Sequence, residues 1–153
     1  LFDNPVIFSN NSEISGDTIY LFSKNRKMDR LYVFDNGIII SKANHLMYNQ
    51  IAGKTINGYF TDGSLEFMRV KGQPAESIFY PQDNDSAYTG MNRAKSDVID
   101  AFFHDKSLNK VAFINDVDGD LYPINQIHED KKYLKNFLWQ EEKRPKNKFE
   151  LFE

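Results

Sequence analysis

Apolar and polar residues alternate over short distances along most of the chain. Runs of four to seven residues rich in Val, Ile, Tyr and Phe recur about every ten residues between residues 6 and 115, separated by Asn, Asp and Gly. Alternation with a period of two predicts half-buried β-strands rather than amphipathic helices. The predicted strands are Val6–Phe8, Thr18–Ser23, Arg30–Phe34, Ile38–Ser41, His45–Asn49, Thr55–Thr61, Leu65–Lys71, Ser77–Tyr80, Ser86–Tyr88, Arg93–Lys95, Val98–Phe103 and Lys110–Asn115.

The connections between these strands carry the residues of tight turns. Asp62-Gly63 lies between two strong strand patterns and predicts a type I′ hairpin, because Asp and Gly tolerate a positive φ. Further turns are predicted at Asn25, at Asp35-Asn36-Gly37 and at His104-Asp105-Lys106.

One segment has a helical pattern. Ile124–Trp139 offers a partial apolar face, and Arg144-Pro145 would end a helix there. The pattern predicts a short C-terminal helical cap over about residues 124–145.

An internal repeat organises the predicted strands. Gly16, Gly53 and Gly90 are 37 residues apart, and with one insertion of about six residues in the first strand of the third unit, apolar columns align. A hairpin cannot bury its apolar face alone, so repeated hairpins predict a stack of antiparallel strands with a continuous core and open ends. The columns are Met28/Leu65/Leu108, Leu31/Met68/Val111, Val33/Val70/Phe113 and Phe22/Tyr59/Phe102.

Composition restricts the class of protein further. The 153 residues predict a single domain, 1–153, and the 19 basic and 22 acidic residues are interleaved, which gives no basic patch for a nucleic acid. The chain has no cysteine, which excludes thiol catalysis, thiolate metal sites and disulfides. No apolar run approaches the ~20 residues of a membrane-spanning helix, which predicts a soluble chain. The start at Leu1 without Met predicts a segment of a longer exported protein whose signal peptide is not included.

The residues that could carry chemistry form no known motif. His45, His104 and His128 lie in unrelated segments, so we predict no metal site. The acidic segment Asn115–Asp120 lacks the Gly and Glu spacing of an EF-hand loop and predicts a turn. Gly-x-Ser-x-Gly and phosphate-binding loops are absent. We therefore predict no catalytic residues and no cofactor, and a carboxylate pair acting on envelope glycans stays an alternative without positive support.

The aligned columns allow two interpretations. If the sheets pack tightly, three columns line a closed hydrophobic core. They are Leu31/Met68/Val111, Val33/Val70/Phe113 and Phe22/Tyr59/Phe102. If the sheets splay apart, the same nine residues line a groove for acyl chains.

The order of several short segments resembles the OstA-like proteins of Gram-negative Bacteroidota, which are related to LptA. The similar segments, which run from about residue 12 to 145, are Gly16–Leu21, Met28–Val33, Gly53–Ile56, Asp62–Leu65, Val70–Tyr80, Gly90–Asn92 and the Leu134-x-x-Phe137-x-Trp139 pattern with Arg144-Pro145.

The resemblance implies a periplasmic, non-enzymatic module in lipopolysaccharide transport and outer-membrane assembly. It implies a twisted, partly open β-jellyroll with a V-shaped trough that holds the acyl chains of lipid A, and modules that join end to end through their terminal strands. In the third unit, Arg93 aligns with Ile19 and Ile56, which predicts a less apolar lining there.

The sequence thus predicts an all-β stack that binds no nucleic acid. The resemblance implies that this stack binds lipopolysaccharide and assembles with similar modules or with itself as a homo-oligomer. The alternative is a structural module that scaffolds partner strands around a closed core.

Overall fold

The computed structural model describes residues 5–9, 11–83, 85, 87–105 and 107–141. Within these residues, one antiparallel sheet holds nine strands and is not closed into a barrel. The all-β prediction is therefore confirmed. The strands are β1 (Val6–Ser9), β2 (Ser12–Ser15), β3 (Thr18–Lys24), β4 (Lys27–Asn44), β5 (Met47–Thr61), β6 (Ser64–Phe79), β7 (Gly90–His104), β8 (Ser107–Ile114) and β9 (Asp118–Pro123).

Some strands that the sequence predicts as two separate elements form one continuous strand in the structure. The predicted strands Arg30–Phe34 and Ile38–Ser41 both belong to β4, and the turn predicted between them is wrong. Asp35 and Asn36 do have positive φ, at 64° and 53°, but they form a bulge that bends β4 without reversing it. Register shifts between Ala52 and Thr55 and between Lys71 and Ala75 interrupt β5 and β6 in the same way.

Two predictions about short strands are also wrong. The strands Ser12–Ser15 and Asp118–Pro123 were not predicted, because each carries too few apolar residues to show alternation. The predicted strand Ser86–Tyr88 is not one, since Tyr88 makes only an isolated bridge with Gln82, and Ser86 lies outside the described residues.

The bulges divide the sheet into two halves. In the hairpin half, β3 and β8 are the outermost strands, and the parts of β4–β7 between them form the order β3-β4-β5-β6-β7-β8. In the terminal half, β1 and β2 continue the sheet beyond β4, and β9 pairs with the first part of β7.

The three hairpins share one register. Phe22 pairs with Arg30, Tyr59 with Phe67 and Phe102 with Lys110, and a register shift follows each pair before the turn. The predicted turns at Asn25 and Asp62-Gly63 are confirmed, since Asn25, Arg26, Asp62 and Gly63 all have positive φ.

The start of the third hairpin differs from the prediction. Asp97 N donates to Asn115 O at 3.0 Å, as Asp17 N donates to Asp35 O at 2.9 Å in the first hairpin. Ser96, not Gly90, is therefore the counterpart of Gly16, and the extra residues precede the hairpin. The position of Ile19 and Ile56 is then occupied by the buried Ile99 rather than by Arg93, so the third unit is as apolar as the others.

The main core lies between the two halves. Ile7, Ile14, Ile39 and Ile51 of the terminal half join one buried cluster with the residues of the hairpin half. At the far end, Ser107–Asn109 of β8 line a cavity together with the end of β4. The sheet therefore folds over along its bulges, and its two halves bury a shared interior.

The predicted C-terminal helix is wrong for the described residues. The segment contains two 3₁₀ turns, Ile124–Gln126 and Glu129–Lys131. Residues 127–140, which include the second of these turns, cross the terminal half, and we call them the C-terminal strap. Leu134, Phe137 and Trp139 of the strap pack on a second apolar cluster on the outer side of that half. Residues 142–145 of the predicted helix lie outside the described residues.

The strap is irregular rather than helical because side chains of the sheet satisfy its backbone. Gln50 Nε2 donates to Lys132 O at 2.8 Å, and Gln50 Oε1 accepts from Leu134 N at 2.7 Å. Arg93 Nη1 donates to Lys131 O at 2.8 Å, and Glu13 Oε1 accepts from Gln140 N at 2.9 Å. Backbone groups bonded in this way do not need helical partners.

Candidate functional site

Six of the nine predicted site residues line the interior of the hairpin half. Cross-strand pairing aligns their columns into two inner rows that run from β3 to β8. The first inner row is Leu21, Leu31, Gly58, Met68, Ala101 and Val111, and the second is Ile19, Val33, Ile56, Val70, Ile99 and Phe113.

Burial changes along the inner rows. Leu31, Val33, Met68 and Val70 are at most 2% exposed, since they pack against the terminal half. In β8, the side chains of Val111 and Phe113 are only partly buried. The interior is thus filled by its own side chains in the middle of the stack and is accessible at the β8 end.

The remaining three predicted site residues lie on the opposite face of the sheet. Phe22 and Tyr59 are 45% and 42% exposed, and Phe102 is half-buried. The partner of Phe22 is Arg30, the neighbour of Leu31, and adjacent residues of a strand point to opposite faces. The prediction that all nine residues share one lining is therefore wrong. A register shift between Phe22 and Ser23 moves the pairing of Phe22 from Asp29 to Arg30, and a count from the turn at Asn25 does not include this shift.

This opposite face carries a continuous layer of aromatic rings. The Tyr59 and Phe67 ring centroids are 5.9 Å apart, and those of Phe67 and Phe102 are 5.1 Å apart. Tyr20 and Tyr32 stack at 6.4 Å in the neighbouring row. Sequence analysis missed this surface because its rings come from different strands.

Cations lie among the rings. Arg30 is 4.9 Å from the centroid of Phe22, Lys110 is 5.2 Å from that of Phe102, and Lys54 Nζ is 5.9 Å from that of Phe34. We call this surface the aromatic–cationic face, and its residues are Tyr20, Phe22, Arg30, Tyr32, Phe34, Lys54, Tyr59, Phe67, Arg69, Lys71, Asp100, Phe102 and Lys110.

One carboxylate is embedded in the aromatic–cationic face. Asp100 accepts two hydrogen bonds from Arg69, and its side chain is only 9% exposed. The hydrogen bonds and the negative charge of Asp100 raise the pKa of Arg69 above its already high ordinary value. The pair neutralises itself, and Arg30 lies 4.0 Å from the carboxylate of Asp29 at the neighbouring bulge.

Both outer strands of the hairpin half have an open side. Among the described strands, β3 pairs with β4 alone and β8 pairs with β7 alone. Apolar side chains are exposed at and after the end of β8, where Ile114 is 41%, Val117 55% and Leu121 65% exposed. A sheet with unpaired backbone groups beside apolar side chains can accept a further strand.

The residues considered for chemistry lie apart. Asn115 and Asp116 have positive φ and form the connection between β8 and β9, in agreement with the predicted turn. The described part of the chain contains no group of three or more His, Asp or Glu side chains arranged to hold a metal ion. Its helical turns are also far shorter than a membrane span requires.

No protein-family model matches the sequence, and no curated protein resembles it at a significant level. The resemblance to the OstA-like proteins stays a prediction.

Proposed function

We propose that the chain is a non-enzymatic module of lipopolysaccharide transport and outer-membrane assembly in the periplasm. In this proposal the folded-over sheet is a twisted, partly open β-jellyroll, and its two halves are the walls of a V-shaped trough. Acyl chains lie along the inner rows, and copies of the chain or similar modules join end to end.

One observation supports this function most directly. The inner rows are apolar from β3 to β8 and end at a strand whose Val111 and Phe113 are only partly buried. Six strands spaced ~4.8 Å apart make each row about 24 Å long, which suits an extended hydrocarbon chain. The rows run along the direction in which strands would be added, so joined modules would have one continuous lining.

Entry of an acyl chain follows from the burial of the rows. Because Met68 and Val70 are fully buried, a chain would first contact Val111 and Phe113 and then separate the halves further inside. Each buried CH₂ group contributes about 0.8 kcal/mol, which offsets the loss of contacts between the halves. Several weak contacts of this kind suit transfer between modules better than one tight site does.

Two neighbouring residues of β8 test the proposal. Phe113 faces the interior and Ile114 lies on the aromatic–cationic face, so Phe113→Asn places an uncharged polar group in the trough while Ile114→Asn places it outside. We expect Phe113→Asn to lose retention of lipopolysaccharide on an affinity column and Ile114→Asn to keep it. Circular dichroism must show that both variants are folded, and equal retention by the two would contradict the proposal.

The complete burial of Leu31 and Val33 favours a second candidate, a scaffold module with a permanently closed core. A scaffold would form end-to-end oligomers, seen by light scattering as masses that rise with concentration, and would retain no lipopolysaccharide. A lipid carrier would show both properties.

A further inference from the structure

We propose that the aromatic–cationic face binds the anionic headgroup layer of a phospholipid membrane. This surface lies on the opposite side of the hairpin half from the inner rows, and the inference does not depend on the proposed transport function.

Charge distribution is the first argument. The whole chain has a net charge of −3, yet the rows of this face carry Arg30, Arg69, Lys71 and Lys110 against the single carboxylate of Asp100. Lys54 adds a further cation above Phe34. Asp29, which forms an ion pair with Arg30 at 4.0 Å, and Glu66 lie at the bulges along one border. Five cations against three carboxylates still leave an excess of two positive charges. A positive surface on an acidic chain favours an anionic partner and disfavours a second copy, which would present the same charge.

The arrangement of the rings narrows the class of partner. Tyr59, Phe67 and Phe102 lie side by side with centroids 5.1–5.9 Å apart, and cations cover Phe22 and Phe102. A cation therefore occupies one ring face of Phe22 and one of Phe102, and Phe67 lies between two other rings. Nucleic-acid bases need free ring faces for stacking, whereas a membrane interface accommodates aromatic side chains beside Lys and Arg.

The shape of the surface agrees with a fluid partner. Tyr20, Phe22, Phe34 and Tyr59 are 41–55% exposed and are distributed over a sheet face. A shallow depression, lined by Asn57, Tyr59, Phe67, Arg69 and Lys71, offers no deep pocket for a protein side chain. Lipid headgroups can move separately to each cation, so a flat array of Lys and Arg is sufficient to bind them.

Vesicle sedimentation tests this inference. The chain should sediment with vesicles of phosphatidylcholine and phosphatidylglycerol in equal parts and remain in solution with pure phosphatidylcholine. Neutralising two cations in Arg30→Gln/Lys110→Gln should lower the partition coefficient roughly 30-fold, because each Lys or Arg near an anionic surface contributes about fivefold. The matched control is Lys95→Gln/Lys135→Gln, which removes the same charge from exposed positions outside the face.

The aromatic contribution needs a separate variant. Phe22→Ser/Tyr59→Ser removes two exposed rings and keeps every charge. It should weaken the binding that remains at high salt, where electrostatic attraction is screened.

Three results would overturn the inference. They are equal sedimentation with neutral and anionic vesicles, an equal loss in the control variant, and binding to soluble heparin or polyglutamate without binding to anionic vesicles. The last result would assign the face to an acidic glycan or protein instead.

Discussion

Arg69 and Asp100 face each other across β6 and β7 and form a bidentate ion pair, with the Nε–Oδ1 and Nη2–Oδ2 distances both 2.8 Å. The two members differ in exposure, since the Arg69 side chain is 45% exposed and the Asp100 side chain 9%. The same substitution should therefore have different consequences at the two positions.

We expect Arg69→Ala to lower the free energy of unfolding by about 2–3 kcal/mol, because it leaves a buried carboxylate without its partner. Asp100→Ala should cost only about 1 kcal/mol, because the exposed guanidinium can be hydrated. Urea unfolding of the two variants measures the difference. Equal losses of unfolding free energy in the two variants would mean that the burial of Asp100 has no energetic consequence.

Gln50 holds the C-terminal strap. Its side chain donates to Lys132 O and to Tyr48 O and accepts from Leu134 N, and it is completely buried. Gln50→Ala should destabilise the chain by about 2–4 kcal/mol, because buried backbone groups lose their partners and a cavity remains.

Limited proteolysis locates this effect. The Gln50→Ala variant should be cleaved within the strap well before the wild-type chain is. Gln126→Ala, an exposed glutamine ahead of the strap, serves as the matched control and should behave like wild type. Cleavage of both variants at the wild-type rate would show that packing of Leu134 and Phe137 alone holds the strap.

Tyr80 makes stability sensitive to alkaline pH. Burial raises the pKa of Tyr80 to about 12 from the ordinary 10.0, and the charges of Tyr133 and Glu129 add to the effect. The unfolded chain releases this proton near pH 10 and the folded chain retains it to about pH 12. The contribution of Tyr80 is therefore fully present below pH 10 and is lost as the pH rises toward 12.

A phenylalanine at position 80 removes this titration. Between pH 10 and 12, wild type should lose roughly 2–3 kcal/mol more stability than Tyr80→Phe, in line with 1.36 kcal/mol per pKa unit. Tyr20→Phe, at an exposed tyrosine, is the matched control for the loss of a hydroxyl group. Parallel profiles for wild type and Tyr80→Phe would contradict the assignment.

Two glycines should respond differently to alanine. A Cβ at Gly53 would lie 2.6 Å from Val70 Cγ1 and 2.7 Å from Lys71 O, whereas a Cβ at Gly63 meets nothing within 4 Å. Gly53→Ala should cost about 1–3 kcal/mol through overpacking against the backbone of β6. Gly63→Ala should cost about 1 kcal/mol, from its φ of +81° alone. Thermal unfolding would rank the two, and the reverse order would show that β5 and β6 adjust at the bulge.

Much of the hairpin half could be predicted from the sequence, because its signals are local. Alternation identified the strands, and Asp62-Gly63 and Asn25 identified two of the turns. The bulge at Asp35 and Asn36 was mistaken for a turn because both features use residues with positive φ. A strand that bends and a strand that ends have the same local sequence signal.

The strap and the placement of the aromatic column depend on distant contacts. Gln50 bonds to backbone groups 82 and 84 residues away, and nothing near residue 134 indicates that partner. The column Phe22/Tyr59/Phe102 was correctly aligned but assigned to the wrong face, because alignment of repeats does not include the pairing across a hairpin. Sequence periodicity therefore identified the candidate residues, but it did not identify the residues that surround them.

Photocrosslinking along β8 tests the central claim, that acyl chains lie on the inner rows. A photoreactive amino acid placed in turn at Lys110, Val111, Ala112, Phe113 and Ile114 samples both faces of a single strand. We predict crosslinks to the acyl chains of lipopolysaccharide at Val111 and Phe113, and none to its acyl chains at Lys110, Ala112 and Ile114. Crosslinks without this alternation, or none at Val111 and Phe113 in a folded chain, would contradict the lipid-trough account.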